Sequence, residues 1–318
     1  MELIREALIQ MAQLVLLLLL APGLTGFVRS VKAKLLRRKG PPIRQPYRDL
    51  LKLIRKEVVL AENASWVYRV APYVIFATTL IAASLVPTFA TGLLFSPAAD
   101  LIAIVALLGT ARFALALAGL DIGTSFGGIG SSREMMIASL AEPAMLMIVF
   151  TLSLLAGSTQ LWMVATFLQG PDVGLRVSLA MAVVALIMVA IAENARIPVD
   201  NPATHLELTM IHEAMILEYS GRHLAVIEAA ASLKLLLYFS LIGCVFMPWG
   251  LAAVGQGFTA YAVGLGTYVA KLAACGFLLA VFETGTAKMR VFRVSDFLGA
   301  ALMLGLLAAL LLFVSQTT

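Results

Sequence analysis

Eight stretches of this 318-residue chain stay predominantly apolar for about twenty residues or more: 7–28, 70–94, 100–119, 135–157, 175–193, 224–248, 258–282 and 296–315. A helix of that length spans the roughly 30 Å hydrocarbon core of a bilayer. Lipid offers no partner to an exposed backbone amide or carbonyl, so runs of this kind must be helical. The reading is an all-α integral membrane protein, one membrane domain over 1–318 with eight transmembrane helices. Composition agrees, with 61% hydrophobic and 13% charged residues, where a soluble domain carries about 25% charged.

The excess of Lys and Arg could suggest nucleic acid, but its placement argues against that. Arg29, Lys32, Lys34, Arg37, Arg38, Lys39, Arg44, Arg48, Lys52, Arg55, Lys56 and Arg69 fall between the first two spans. Arg133, then Arg196 and Arg222, then Lys288, Arg290 and Arg293 fall in the third, fifth and seventh connections, while the even ones hold little beyond Asp100, Asp172 and Arg176. Positive charge accumulates on the cytoplasmic side, so the odd connections are expected there and both termini outside. The first apolar stretch is preceded by Glu2, Arg5 and Glu6 and followed by the basic run, the pattern of a retained helix rather than a signal peptide. Cys244 and Cys275 lie in separate apolar spans and suggest neither a disulfide framework nor a metal site.

The connection 29–69 contains "GPPIRQPYRDLLKLIRKE", residues 40–57. Its prolines forbid a helix up to Tyr47. From there Tyr47, Leu50, Leu51 and Ile54 recur at helical spacing, with Arg48, Lys52 and Arg55 on the other side. An amphipathic helix is expected, lying in the interface plane of the bilayer or against a partner. The third connection, "GLDIGTSFGGIGSSRE" at 119–134, is glycine-rich but lacks a phosphate-loop ending and a preceding strand, so it is no nucleotide site. Ser131 and Glu134 fit a capping box opening the next helix, and the glycines would let backbones approach closely.

The fifth connection, 194–223, follows Glu193 and holds Asp200, Glu207, Glu213 and Glu218 together with His205, His212 and His223, every histidine of the chain. His212–Glu213 begins like a zinc-protease helix, but Ile216 stands where the second histidine belongs, and no third ligand has a recognisable spacing. A solvated polar loop is the plain alternative for this cluster.

Arg112, Glu142, Lys234 and Lys271 fall well inside the spans, with Glu193, Glu228 and Glu283 near their cytoplasmic ends. Each central charge costs about 2.5 to 3.5 kcal/mol on insertion, roughly 12 kcal/mol for the four. Mutual pairing or a polar interior must offset that, and the two readings are static ion pairs that fix helix register or an ion path. Glu142 precedes Pro143, whose missing donor would kink the helix beside the carboxylate. A proton path is expected through Glu142, Glu193, Asp200, Glu207, Glu213, Glu218 and Glu228, with Lys234 as counter-charge and His205 and His212 alongside.

"RRKGPPIRQPYRDLLKLIRKE", "GSSREMMIASLAEP" and "ENARIPVDNPATHLELTMIHEAMILEYSG" together resemble the family of the first membrane subunit of respiratory complex I and its relatives in energy-converting nickel-iron hydrogenases and formate hydrogenlyase. The resemblance implies a complex I heel-subunit-like fold with eight helices and both termini outside. It implies a cell inner-membrane protein whose catalytic arm faces the cytoplasm. Such subunits are not catalytic themselves; they anchor the soluble arm and couple its redox reaction to proton or sodium translocation. Ala203, Thr204 and His205, where complex I members usually carry acidic residues, place the chain nearer the hydrogenase branch.

The implied partners are the hydrogenase large subunit and its small, iron-sulfur subunit, antiporter-like membrane subunits and the lipid bilayer. Arg37, Arg38, Arg44, Arg48, Arg133, Glu134, Arg196 and Tyr219 are the expected docking residues. No cofactor is expected in this chain; 4Fe-4S clusters and a NiFe centre belong to the partners. The alternatives are a quinone-tunnel subunit of an NADH:quinone oxidoreductase, and a stand-alone secondary ion transporter, against which no inverted repeat is visible.

Overall fold

The computed structural model describes residues 2–170, 177–200, 210–252 and 257–317. Eleven α-helices occur among them: α1 Glu2–Leu35, α2 Gln45–Ile54, α3 Trp66–Leu85, α4 Leu101–Asp121, α5 Ser125–Ala156, α6 Leu161–Leu168, α7 Val177–Glu193, α8 His212–Ile216, α9 Gly221–Val245, α10 Phe258–Gly285 and α11 Val294–Thr317. Seven of these (α1, α3, α4, α5, α9, α10 and α11) are long and apolar enough to cross a membrane, and α7 is a shorter apolar helix of 17 residues. The eight apolar stretches of the sequence therefore each overlap one of these helices, and α6 is an additional short apolar piece after α5.

Contacts between connections show how the bundle is laid out. Asp121 at the end of α4 accepts from the Ser65 amide before α3 at 2.9 Å. Arg133 reaches the Met210 carbonyl at 2.8 Å, the Val59 amide bonds Ser220 Oγ at 2.8 Å, and the Met289 amide bonds the Pro198 carbonyl at 2.8 Å. All odd connections thus meet at one end. At the opposite end Thr91 pairs with Ala252, Leu101 with Thr159, and Gln169 with Pro248. The helix α9 is the central member: 72% of its most apolar window is buried, against 28% for α10.

Three boundaries differ from the sequence expectation. The helix α2 begins at Gln45, because Pro46 occupies the first turn, where a missing amide costs nothing. The stretch 70–94 is not one helix: α3 stops at Val86, which is extended before Pro87, and an irregular buried segment follows. Its end is stabilised from α1, where Gln10 Nε2 donates to the Ser84 carbonyl at 3.1 Å and Gln13 Nε2 to that of Val86 at 2.9 Å. Finally, α5 starts ten residues before the expected 135.

The N-cap of α5 is Thr124, whose side chain accepts from the Gly127 amide, so Ser131 and Glu134 are not a capping box. Ser131 Oγ instead donates to the Ala116 carbonyl at 2.9 Å. The glycines of this segment do permit close approach, but within the chain: Gly127 lies against the Gly119 backbone, and Gly130 against Met215 and Ala214 of α8.

Candidate functional site: a buried ion-pair chain

Glu134 and Glu142 are eight residues apart on α5, a spacing that puts both on one helical face. That face meets Arg112 in the middle of α4, whose side chain is 3% exposed. Arg112 Nη1 lies 3.3 Å from Glu142 Oε1 and Nε lies 3.7 Å from Glu134 Oε1. Its second terminal nitrogen pairs directly with Glu193 Oε1, at the end of α7. The other Glu193 oxygen lies 3.0 Å from Lys234 Nζ on α9. Five charged groups from four helices therefore form one connected chain. Three carboxylates face two cations, so a single added proton makes the fully ionised cluster neutral.

The two ends of this chain differ. The Glu142 side chain is 44% exposed at the outer surface of the bundle, beside Gly109, where a Cβ would come within 3.3 Å of its carboxylate. At the inner end, Arg112, Glu134, Glu193 and Lys234 line a cavity of about 550 Å³ that opens toward the odd connections. Glu228, His212 and Glu213 line it further up, with Arg29, Lys32, Arg38 and Arg196 toward its mouth.

A second ion-pair cluster crosses that mouth. Glu283 of α10, 3% exposed, holds Lys32 Nζ of α1 at 2.9 Å and Arg196 Nη1 at 3.6 Å. Burial pushes the Arg196 guanidinium below its ordinary value; Glu283 opposes the shift and Arg29 adds to it. Asp200 closes the turn that follows. Its Oδ1 lies 2.7 Å from Lys288 Nζ, and Oδ2 accepts from the amides of Ile211 and His212 at 3.3 and 3.4 Å.

The structure thus brings together Glu142, Glu193, Glu213, Glu228, Lys234 and His212 around one chain and cavity, with Asp200 in the adjoining turn. Glu218 is exposed, outside that lining. His205 and Glu207 lie outside the described residues.

Of the expected docking residues, Arg37, Arg38, Arg44 and Arg48 are exposed. The other four are engaged inside the chain. Arg133 holds the Met210 carbonyl, Glu134 faces Arg112, and Arg196 faces Glu283. Tyr219 stacks on Tyr68 with ring centroids 3.9 Å apart, and its hydroxyl donates to the Tyr68 carbonyl at 2.9 Å. Burial raises the Tyr219 phenol above its usual 10.0. Among the described residues no group of three His, Cys, Asp or Glu side chains could hold a metal ion.

Sequence reasoning noted Arg112 only as a charge inside a span and missed that it is the hub. It likewise did not join Glu283 to Lys32 and Arg196. The available signal was the count of in-span charges, which had to be matched acid to base.

A multi-span helical membrane protein with a connected charge chain through its interior is the class that fold and site define. Within that class, the chain belongs to the NADH dehydrogenase family, which matches residues 8–314. It is 32% identical over 281 residues to formate hydrogenlyase subunit 4 of Escherichia coli K12, covering 88% of this chain and 90% of that one. Hydrogenase-4 component C of the same organism is 36% identical over 243 residues, 76% of each chain. An NADH-quinone oxidoreductase subunit of Salinibacter ruber is 28% identical over 64% of this chain and 61% of its own length. The fold is shared with a chain in the membrane-bound sulfane sulfur reductase, an archaeal respiratory membrane complex, with a TM-score of 0.80 at 17% identity over 96% of this chain and 99% of that one.

Proposed function

We propose that this chain is a non-catalytic membrane subunit of a hydrogenase-type respiratory complex that couples the redox reaction of a soluble arm to proton or sodium translocation. Its relatives in formate hydrogenlyase and hydrogenase-4 support the complex type. The carrying observation is the connected chain from Glu142, open at the side of the bundle, through Arg112 and Glu193 to Lys234 and the cavity those charges line.

Charged groups inside a membrane protein are expensive and are found where ions or protons pass. A carboxylate at the lateral surface would hand the ion to an antiporter-like neighbour; the cavity would take it from the end carrying the odd connections. By the positive-inside rule that end faces the cytoplasm of the inner membrane. The hydrogenase large and small subunits, with their 4Fe-4S clusters and NiFe centre, would sit there, over Arg37, Arg38, Arg44 and the loop 194–223.

A volume of about 550 Å³ is also that of a small-molecule pocket, and the NADH-quinone oxidoreductase relatives give the quinone reading its support. Arg112, Glu134, Glu193 and Lys234 at its inner end favour ions and water there, while Val28, Ile75, Leu115 and Ile227 give it an apolar wall that suits a quinone ring.

The test is the whole complex in sealed vesicles. Glu142→Gln should leave assembly and donor turnover near wild type while ΔpH or Δψ formation falls severalfold. Undiminished ΔpH and Δψ in that variant would rule the path out. Nickel in the purified complex would select the hydrogenase branch, and quinone-linked donor oxidation without hydrogen would select the other.

A further inference from the structure

The helix α2 carries three separate stripes. Pro46, Leu50 and Leu53 face the bundle, buried or half-buried, against α1 and α9. Leu51 and Ile54, 57% and 58% exposed, share a face with Tyr47. Arg48, Lys52 and Arg55 form a third stripe beside it, all exposed. Among the described residues the first stripe packs against the bundle and Tyr47 reaches α1, while Leu51, Ile54 and the basic stripe stand exposed.

The depth at which α2 sits is fixed by two neighbours. On α1, the Tyr47 hydroxyl donates to the Leu19 carbonyl and lies where a Cβ on Gly23 would come within 2.7 Å of it, and the Ile43 carbonyl rests on Gly26. Residues 19–26 are the last apolar turns of α1 before the basic run begins at Arg29. On α9, α2 meets Leu224, Glu228 and Ser232, within the first three turns of that helix. Both contacts put α2 at the level where apolar helix gives way to polar connection, which is the boundary between acyl chains and headgroups. A helix lying there, with an apolar stripe beside a basic one, meets lipid on the first and phosphate on the second.

We propose that the outer faces of α2 form an anionic-lipid site, with Leu51 and Ile54 against acyl chains and Arg48, Lys52 and Arg55 on phospholipid headgroups. The occupant is a lipid surface because charge complementarity and depth coincide: a soluble partner reaches basic side chains but not an apolar stripe seated beside residues 19–26 of a spanning helix. Arg48 then serves the membrane, and Arg37, Arg38 and Arg44, on the turn before α2, remain for the arm. Each basic side chain near an anionic leaflet is worth about fivefold in binding, so three together give at most ~100-fold preference, reduced by salt screening.

The experiment uses the assembled complex in nanodiscs of phosphatidylglycerol or of phosphatidylcholine. Nitroxides on Leu51→Cys and Lys52→Cys, in a Cys244→Ala, Cys275→Ala background, report accessibility to oxygen, which partitions into lipid, and to an aqueous nickel chelate. Position 51 should be reached by oxygen and position 52 by the chelate. Native mass spectrometry of the full chain then counts retained phosphatidylglycerol, whose apparent affinity should fall about tenfold in Arg48→Gln, Lys52→Gln, Arg55→Gln, with phosphatidylcholine unchanged. Protection of both positions from both reagents would mean that a protein partner covers α2. Chelate access at both would mean a solvated face. Equal retention of the two lipids by wild type and the triple variant would also overturn the site.

Discussion

Glu193 joins the two halves of the charge chain, so Glu193→Gln is the perturbation that probes it most directly. The substitution keeps shape and removes charge. Arg112 retains Glu134 and Glu142, but Lys234 loses its carboxylate 3.0 Å away. The Glu193 side chain is 2% exposed and that of Lys234 19%, toward the cavity, so solvent takes over only part of the stranded charge. Removing one partner of a buried pair costs about 3–5 kcal/mol; with only one cation stranded, about 3 kcal/mol is expected.

Lys234→Met in the Glu193→Gln background removes the orphaned ammonium as well. The double variant should therefore be more stable than the sum of the singles implies, by about 1–3 kcal/mol. Titration of the detergent-solubilised protein with sodium dodecyl sulfate, followed by circular dichroism, measures all four corners of the cycle. A Glu193→Gln cost below about 0.5 kcal/mol, or additivity within that margin, would show that the two side chains are not coupled and that the chain is broken there.

Glu283→Gln strands two cations, but Lys32 is 27% exposed and Arg196 lies 3.6 Å away, so the two together should cost about 3 kcal/mol in the same titration, with Glu283→Asp recovering part of it; equal costs would deny the pairing. Tyr219→Phe removes the donor to the Tyr68 carbonyl, which Pro72 leaves without its helical partner, and about 1–3 kcal/mol is expected. In a Pro72→Ala background, where an amide is restored, most of that cost should vanish. Because the Tyr219 phenol is raised, the folded protein holds that proton more tightly than the unfolded chain. Its contribution is constant below about pH 10 and declines above it, so Tyr219→Phe should show less alkaline loss than wild type. Gly26→Ala drives a Cβ into the Ile43 carbonyl, and a loss of about 1–3 kcal/mol should accompany faster proteolysis of the turn before α2.

The spans were legible because hydropathy depends on composition, which survives in a single sequence. The end of α3 was not, because the run to 94 is as apolar as a helix requires. What stops it is Pro87 together with two glutamine amides arriving from α1, more than seventy residues earlier. The early start of α5 was missed for a similar reason: the glycines at 119–130 read as a loop locally, yet Gly119, Gly127 and Gly130 are the close-packing surface of two helices and α8. For the site, the acids were all visible as residues, Glu142 stood out through Pro143, and Lys234 was named as the counter-charge. The pairing through Arg112 was not visible, since Arg112, Glu193 and Lys234 come from α4, α7 and α9 and only the packing of four helices makes them neighbours.

The prolines inside spanning helices explain how connection and bundle depend on each other. A membrane helix cannot leave a carbonyl unpaired, since lipid supplies no donor. Pro72 deprives the Tyr68 carbonyl of its amide, and Tyr219 from the 194–223 loop supplies a hydroxyl in its place while its ring stacks on Tyr68. Pro22 takes the amide partner from the Leu18 carbonyl of α1, and at the next residue Tyr47, from the 29–69 connection, donates to the Leu19 carbonyl. At Pro143 the neighbour is a charge, with Glu142 turned toward Arg112. Two of these prolines therefore stand where polar connections plug into the bundle, and the third stands beside the ion-pair chain. Displacement of the loop that carries Tyr219 would unseat α3, while Arg196 at its start would pull on α1 and α10 through Glu283. The loop thus has direct mechanical contact with the walls of the cavity that the charge chain enters, which is the linkage that the proposed coupling would require.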